Sequence, residues 1–401
     1  MHLSKHIIID IITMGPMGIA QFGIAALILR AIRARFSRIW VAFAALTIGV
    51  IGAFMGLAVM NSYSQFSLYF WSHWHDLGMS RSFLGWLRAA TYLWCFSSFG
   101  AYVAYLLYLR LSPRFTVGFN PDRRRVIQAA GGAVMAAPFA LTAFGAIIQR
   151  TDFHVREVDI PIANLPPDLE GLRLLQLSDI HLSAFLSERE LARVIDASNE
   201  LRAHVALITG DLISGPGDPL DACLRQLTRL RTDAGALGSM GNHETYAKVL
   251  EYTAQQGARL GIPFLRGQSQ VLRFGNANVN FAGVDYEPFE RRPHYLEGAE
   301  KLLVPEAVNI LLSHNPDVFP VAARQGYDLT MSGHTHGGQI TFEILSQTVN
   351  MARVFTPFVS GKYQIGKASC YVTRGIGTIG IPIRLGATPE ITLLRLRALK
   401  A

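Results

Sequence analysis

The chain has 401 residues, half of them hydrophobic, which is enough for two or three domains. Its three cysteines are scattered, so the composition excludes both a disulfide framework and a cysteine-based zinc site. The formal net charge of +8 does not indicate nucleic-acid binding, because residues 1–150 carry 13 Lys/Arg against 3 Asp/Glu, whereas residues 151–401 carry 24 against 26. The basic excess belongs to the first 150 residues, where a membrane explains it better.

Four apolar stretches in the first 150 residues are long enough to cross a bilayer as helices of about 20 residues. They are Ile11–Leu29, Ile39–Met60, Ala89–Leu109 and Val126–Ile148. The first is the weakest, because Pro16 and Gln21 interrupt it. We predict an all-α, multi-pass transmembrane domain over residues 1–150, in the cytoplasmic (inner) membrane and without a cleavable secretory signal.

Arginines predict the orientation of these helices. The loops after spans one and three carry nine arginines, whereas the loop between spans two and three carries only Arg81 and Arg88. The nine are Arg30, Arg33, Arg35, Arg38, Arg110, Arg114, Arg123, Arg124 and Arg125. Because positively charged loops stay in the cytoplasm, the region after span four should lie outside it. The run Arg123–Arg125 is also similar to a twin-arginine export signal, and either interpretation puts the region after span four outside the cytoplasm.

From residue 151 onward the composition is that of a soluble α/β domain, in which short apolar strands end in polar residues. The predicted strands are Leu172–Leu177, Val205–Ile208, Leu237–Met240, Val308–Leu312 and Tyr327–Met331. Helical stretches lie between them, and the one that begins at Ser187 opens with a capping box. Since ligands bind beyond the carboxyl ends of strands in open α/β sheets, the residues after these strands should meet in one crevice.

The polar residues after these strands comprise two carboxylates, one amide and five imidazoles. They are Asp179, His181, Asp211, Asn242, His243, His314, His334 and His336. Nitrogen and oxygen donors without thiolate suit Mn, Fe or Zn better than Mg or Ca. Eight donors are too many for one ion, but two ions that share a carboxylate would use them and leave one group for catalysis. Each motif alone is more typical of a turn or helix cap, so the prediction depends on their combination.

The order of these motifs resembles the calcineurin-like metallophosphoesterase family, whose pattern is D-x-H, GD, GNH, a lone H and GH-x-H. The resemblance covers residues 150–400, and the segments His334–Gln339 and Val372–Gly377 are similar to its membrane-tethered bacterial branch. Some members of that branch are similar to UDP-diacylglucosamine hydrolases. The resemblance implies a metallophosphoesterase domain over residues 151–401, with two packed mixed β-sheets flanked by helices.

The resemblance also implies a role for each site residue. Two divalent ions, with Mn preferred and Fe or Zn as alternatives, would be bound. Asp179, His181 and His336 would hold the first ion. Asn242, His314 and His334 would hold the second. Asp211 would bridge the two ions, and His243 would bind neither of them.

Physical chemistry then suggests a mechanism. Water shared by two cations becomes hydroxide near neutral pH and attacks phosphorus in line. His243, near the ions but not bound to them, would donate a proton to the leaving alkoxide or stabilise the transition state. Glu244 could orient that imidazole or serve only as a first-turn acid favoured by the helix dipole. Asp285, Arg374 and Gln339 are further candidates for the cleft, whereas His154, His204 and His294 lie outside the motifs.

These patterns predict a membrane-anchored, metal-dependent phosphoric ester hydrolase that cleaves phosphate monoesters, diesters or pyrophosphates. Lipid-linked phosphates are within reach of a domain tethered at the bilayer. One alternative is a catalytically silent binding or sensory module, and another is a UDP-diacylglucosamine-type pyrophosphatase if the domain is cytoplasmic. A nucleic-acid substrate is disfavoured because the soluble domain is slightly acidic, whereas binding a phosphate backbone requires a basic face.

Overall fold

The computed structural model describes residues 2–63, 81–115, 121–344 and 347–399. The chain divides into two compact units, Met1–Phe144 and Gly145–Ala401. The first unit is helical, and its helices are α1 (His2–Arg33), α2 (Arg38–Tyr63), α3 (Arg81–Phe115) and α4 (Pro121–Ala143). The loop predicted between spans two and three falls largely outside the described residues.

Three described stretches are long and apolar enough to cross a membrane. They are Gly15–Arg33, Gly85–Leu111 and Arg125–Thr151. The predicted second span coincides with α2, but the apolar stretch whose side chains are described, Arg38–Ala53, is shorter than the others. An apolar helical N-terminal region is therefore confirmed, while the number of four spans stays a prediction.

The polar residue that weakens the first predicted span, Gln21, has partners on a neighbouring helix. Its side-chain amide donates to Ser98 Oγ at 2.6 Å, and its side-chain oxygen accepts from Trp94 Nε1 at 3.1 Å. Both partners lie on α3. Interhelical hydrogen bonds of this kind satisfy polar groups in apolar surroundings, so Gln21 is compatible with a membrane-spanning helix.

The second unit contains thirteen strands among its described residues. In chain order, they are β1 (His154–Ile162), β2 (Arg173–Leu177), β3 (Val205–Thr209), β4 (Ala236–Ser239), β5 (Gln268–Phe274), β6 (Ala277–Gly283), β7 (Val308–Leu312), β8 (Leu329–Ser332), β9 (Thr341–Ile344), β10 (Gln347–Asn350), β11 (Gly361–Ile365), β12 (Ala368–Val372) and β13 (Glu390–Ala398). One sheet has the order β1-β13-β2-β3-β4, the other has the order β11-β12-β8-β7-β6-β5, and β9 and β10 form a hairpin. Both larger sheets are mixed, which confirms the predicted fold class.

Helices flank the sheets of this unit. They are α5 (Glu188–Glu200), α6 (Leu220–Leu227), α7 (Asn242–Tyr246), α8 (Leu250–Arg259) and α9 (Phe319–Gln325). The capping box predicted at Ser187 is present, since its side chain accepts the backbone N–H of Glu190 and the Glu190 carboxylate accepts that of Ser187. The pair satisfies two backbone donors at the start of α5.

The core lies between the two sheets and beneath the helices. Leu174 and Leu207 of the first sheet share one buried cluster with Phe281 and Ile310 of the second. The alternate residues of the first sheet, such as Leu175, belong to the cluster that packs against α5 and α6. Because successive side chains of a strand point to opposite faces, one apolar strand can contribute to both layers.

Strand β13 occupies a central place in the first sheet. It runs parallel to β1, with His154 opposite Glu390, and antiparallel to β2, with Leu174 opposite Leu394. Leu394 is fully buried between the sheets. The first strand after the helical region therefore joins the sheet through a strand from much later in the sequence.

Candidate metal centre

The eight predicted site residues follow the ends of five strands: β2, β3, β4, β7 and β8. Hydrogen bonds between the two sheets bring these ends together. Gln176 Nε2 donates to the Ser332 carbonyl at 3.0 Å, and His314 Nδ1 lies 2.7 Å from the Thr209 carbonyl. Side chains placed after these strands therefore share one crevice.

Groups of three candidate donors, one ligand atom from each residue, lie within 4.8 Å of one another. The groups are Asp179 with His181 and His336, His181 with Asp211 and His243, and Asp211 with His314 and His334. The groups overlap, since Asp211 and His181 each belong to two of them. All seven predicted Asp and His residues are thus brought together, and the eighth residue, Asn242, directly precedes His243.

In the first group, nitrogen and oxygen atoms face one another at short range. Nε2 of His181 lies 3.1 Å from Nε2 of His336, which lies 3.3 Å from Oδ1 of Asp179. Asp179 and His181 are fully buried. Lone pairs this close repel one another unless a proton or a cation lies between them.

Asp211 links this group to the next. Its Oδ2 atom lies 3.5 Å from His181 Nε2 and 3.0 Å from His314 Nε2, while its Oδ1 accepts the backbone N–H of His243 at 2.9 Å. The His314 ring centroid is 5.1 Å from that of His334. The Asp211 carboxylate thus faces donors from both ends of the cluster.

Burial controls the charge of these groups. It lowers the pKa of His181 and of His334 to about 3, and that of His336 well below its usual value, so these rings are neutral and keep a lone pair. Burial also raises the pKa of Asp179 to about 6. Burial lowers the pKa of His314 as well. The carboxylates of Asp211 and Asp179 outweigh this effect and raise the pKa of His314 to about 10. The cluster therefore favours positive charge at its centre.

Two buried atoms show that this donor set fits divalent ions. Oδ1 of Asn242 is buried without a hydrogen-bond partner, and Nε2 of His314 is buried 3.0 Å from Oδ2 of Asp211. Since Nδ1 of His314 faces the Thr209 carbonyl, that nitrogen carries a proton and Nε2 is the ring atom that faces Asp211 and the site. An unpaired buried polar atom costs about 1–3 kcal/mol, which coordination to a cation would offset. Imidazole, carboxylate and amide donors suit Mn, Fe or Zn.

The backbone is strained where these side chains originate. Five of the eight residues have positive φ angles between 48° and 72°, a region that side chains other than glycine rarely adopt. They are Asp179, His181, Asp211, His334 and His336. Such strain costs about 1–3 kcal/mol per residue and is typical of functional sites.

Glycine allows the loops to approach the site closely. A Cβ atom at Gly241 would lie 2.1 Å from Asp211 Oδ1, and one at Gly375 would lie 2.5 Å from Asp179 Cβ. Gly375 also has a φ angle of +69°, which favours glycine. Both glycines thus form part of the cradle around the carboxylates.

Glu244 makes contacts that neither of its predicted roles, orienting His243 or complementing the helix dipole, includes. Its fully buried carboxylate accepts the backbone N–H groups of Asp211 at 3.0 Å, Leu212 at 2.7 Å and Gly241 at 2.8 Å. It therefore ties the loop after β3 to the loop after β4. No sequence pattern predicted this contact, because it depends on backbone donors from a distant strand.

Arg384 is a second residue that the sequence did not single out. Its fully buried guanidinium donates to the carbonyls of His336 at 3.3 Å, Ala387 at 3.0 Å and Gly375 at 3.2 Å. Burial lowers its pKa to about 10. Arg384 thereby connects the backbone of one predicted ligand to the glycine loop that packs against Asp179.

Three residues proposed for the cleft have other contacts. Asp285 accepts from Arg266 Nε and Nη2, both at 2.9 Å, and the Gln339 amide donates to two backbone carbonyls, of Ile379 and Ile381. These side chains hold loops together. Arg374 Nε lies 4.0 Å from a Glu390 carboxylate oxygen.

A neighbour of the site that sequence reasoning missed is Tyr286. Its hydroxyl lies 3.4 Å from Nε2 of His334, and its ring centroid is 6.1 Å from that of His314. An aromatic ring beside two imidazoles limits their movement and narrows the crevice.

Residues 172–338 match the family model described as calcineurin-like phosphoesterase. Two similar proteins are named transmembrane protein with metallophosphoesterase domain. The one from Danio rerio is 32% identical over 64% of this chain and 60% of its own length, and the one from Bos taurus is 29% identical over 69% and 64%. The chain thus spans about three-fifths of these two relatives. Their names and the apolar helices support membrane association.

A bacterial relative is matched over nearly its whole length. The metallophosphoesterase YkuE of Bacillus subtilis, which is named as uncharacterized, is 30% identical over 69% of this chain and 98% of its own length. Together with the family model, this match confirms the resemblance drawn from the five motifs. The chain belongs to the calcineurin-like metallophosphoesterase family.

Proposed function

We propose that this protein is a membrane-anchored, dinuclear metal-dependent phosphoesterase. The observation that carries this proposal is the position of Asp211, whose carboxylate faces donor atoms from both ends of one buried cluster. A single shared carboxylate between two donor sets is what a pair of neighbouring cations requires. Residues 1–150 would form the multi-pass domain in the cytoplasmic membrane, and residues 151–401 the catalytic domain.

The ligand sets are those that the family resemblance implies, and the contacts support them. Asp179, His181 and His336 would hold one ion. Asn242, His314 and His334 would hold the other, and the unpaired Asn242 Oδ1 atom supports this assignment. Asp211 would contact both ions. When bound, the two ions supply positive charge for the phosphoryl oxygens and lower the pKa of a water molecule.

His243 is the proton donor that we assign to the leaving group. Its Nδ1 atom lies 2.6 Å from the Ser214 carbonyl, so Nδ1 keeps its hydrogen and Nε2 is the nitrogen that can release a proton. The backbone N–H of the same residue is fixed on Asp211 Oδ1. An imidazole held in this way can protonate an alkoxide as the bond to phosphorus breaks.

The choice of metal gives the first test. After chelation and dialysis, the purified full-length protein should regain hydrolysis of aryl phosphate monoesters or diesters, or of a pyrophosphate, with Mn²⁺. Mg²⁺ should restore less activity, because the four imidazoles assigned as ligands are poor ligands for it. Initial rates with each ion at equal concentration decide the question. Equal recovery with Mg²⁺ would contradict the ligand assignment, and no hydrolysis of any of these esters would contradict the proposed function.

The substrates that we propose are lipid-linked phosphates, since a tethered domain meets them at the bilayer surface. The metal cluster itself is compatible with monoesters, diesters and pyrophosphates. Comparing a lipid ester with its soluble head-group counterpart on the Mn²⁺-loaded protein separates a lipid preference from general phosphoesterase activity.

The side of the membrane on which the catalytic domain lies decides which substrates it can reach. Nine arginines occupy the two loops assigned to the cytoplasm, so residues 151–401 should lie outside it. A reporter active only outside the cytoplasm should therefore be active when it is fused after residue 401. The same reporter fused after Arg114, in a predicted cytoplasmic loop, should be silent.

The reverse pattern of reporter activity would place the metal centre in the cytoplasm. In that case a nucleotide-linked lipid of the UDP-diacylglucosamine type would become the leading substrate.

A further inference from the structure

Ser214 touches two histidines of the site with two different atoms. Its hydroxyl oxygen lies 3.2 Å from Nδ1 of His181, and its carbonyl oxygen lies 2.6 Å from Nδ1 of His243. The two imidazole rings meet edge to face, with centroids 4.7 Å apart. One residue thus contacts both rings at Nδ1, beside the Ile213 backbone at His181, which leaves Nε2 of each ring for a ligand or a proton.

The loop that carries Ser214 is itself closed by Asp218. Its Oδ2 atom accepts the backbone N–H groups of Ser214 at 3.0 Å and of Gly215 at 2.9 Å. In the other direction, the Asp218 N–H donates to the Gly215 carbonyl at 3.2 Å. These contacts hold the backbone of Ser214 and Gly215 in one conformation.

We propose that Ser214 is a positioning residue that serves metal binding through its hydroxyl and proton transfer through its carbonyl. This inference rests on the proposed function, in which His181 is a ligand and His243 is the proton donor. The partner at one ring nitrogen fixes the tautomer and orientation that the other nitrogen needs. A carbonyl oxygen can only accept a hydrogen bond, so the Ser214 carbonyl holds the His243 proton on Nδ1 and leaves Nε2 facing the site.

The hydroxyl contact is tested by Ser214→Ala in the full-length protein. Losing the hydroxyl that contacts His181 Nδ1 should weaken Mn²⁺ binding about 10- to 100-fold, as is typical for groups that orient metal-ligating histidines. Ser214→Thr keeps a hydroxyl and should bind Mn²⁺ like the natural protein. Titration of the metal-free protein with Mn²⁺ measures this directly. An unchanged affinity for Ser214→Ala, or an equal loss in both variants, would overturn the hydroxyl role.

The carbonyl contact is tested by Asp218→Ala, which releases the loop. At saturating Mn²⁺, kcat should fall, and the rate should depend more steeply on the pKa of the leaving group, because His243 is no longer aligned. Asp218→Asn keeps an oxygen that can accept the two N–H groups, so it should retain most of the activity. Unchanged kcat and leaving-group dependence in Asp218→Ala would refute the carbonyl role.

Failure of the inference can be told apart from failure of the proposed function. Nitrogen NMR of the metal-free protein should show His243 with its proton on Nδ1, and a shift of tautomer in Asp218→Ala. If the chain hydrolyses no phosphate ester, the proposed function is wrong, yet the tautomers and the Mn²⁺ titration still decide whether Ser214 positions the two rings.

Discussion

Asp211→Asn should abolish hydrolysis and prevent binding of two metal ions per chain. The carboxylate uses Oδ1 to accept the His243 N–H and presents Oδ2 to His314 at 3.0 Å. An asparagine has only one acceptor oxygen there, so its amide group must face either the backbone donor or the cations. We expect a loss of activity of about 1,000-fold or more, which corresponds to roughly 4 kcal/mol of transition-state stabilisation.

Metal content by elemental analysis and turnover of an aryl phosphate measure this effect. The matched control is Asp196→Asn, which removes the charge of a helix carboxylate that contacts Arg229 at the surface, at 2.6 Å. This control should keep both ions and nearly full activity. An Asp211→Asn protein that still binds two ions and turns over normally would refute the shared-carboxylate arrangement.

His243→Ala should cut turnover about 100- to 10,000-fold, the usual contribution of a proton donor, while about two ions per chain remain bound. The reason is that Nδ1 of this ring is engaged by the Ser214 carbonyl at 2.6 Å, so the ring is set up for proton transfer. The loss should be largest for substrates with poor leaving groups, because these depend most on protonation. Rates across a series of aryl phosphates and metal analysis check both parts.

A ring nitrogen of His243 also lies within 4.8 Å of donor atoms of His181 and Asp211. The number of metal ions bound per chain therefore decides whether His243 is a proton donor or a ligand. Loss of one ion from His243→Ala would make this residue a ligand and overturn its assignment. His294→Ala serves as the control, since that imidazole is 63% exposed and contacts Glu297. It should change neither metal content nor rate.

The fold was predictable because its strands are short apolar runs with a polar residue directly after them. The strand predicted at Val308–Leu312 matches β7, and the one predicted at Leu172–Leu177 differs from β2 by one residue. The order of the five motifs then indicated the architecture. Side chains alone could not reveal β13 as the partner of β1, because strand pairing depends on contacts distant in sequence.

The candidate ligands were visible for a related reason, since each stands in a short motif at a strand end. The residues that support them were not visible. Glu244 and Arg384 act on backbone N–H and carbonyl groups, and Ser214 acts partly through its own carbonyl. Backbone groups are the same for every residue type, so no sequence pattern identifies them as partners.

The central place of β13 has a consequence for the order in which the catalytic domain is assembled. His154 pairs with Glu390, so β1 cannot enter its sheet until the ribosome has passed residue 398. Until then β1 and β2 present unpaired edges, which are prone to pairing with other chains. Synthesis is slow, at about 5–20 residues per second, so the apolar helices before residue 151 emerge many seconds earlier. The first sheet of the catalytic domain is therefore completed only after all of the apolar helices have been synthesised.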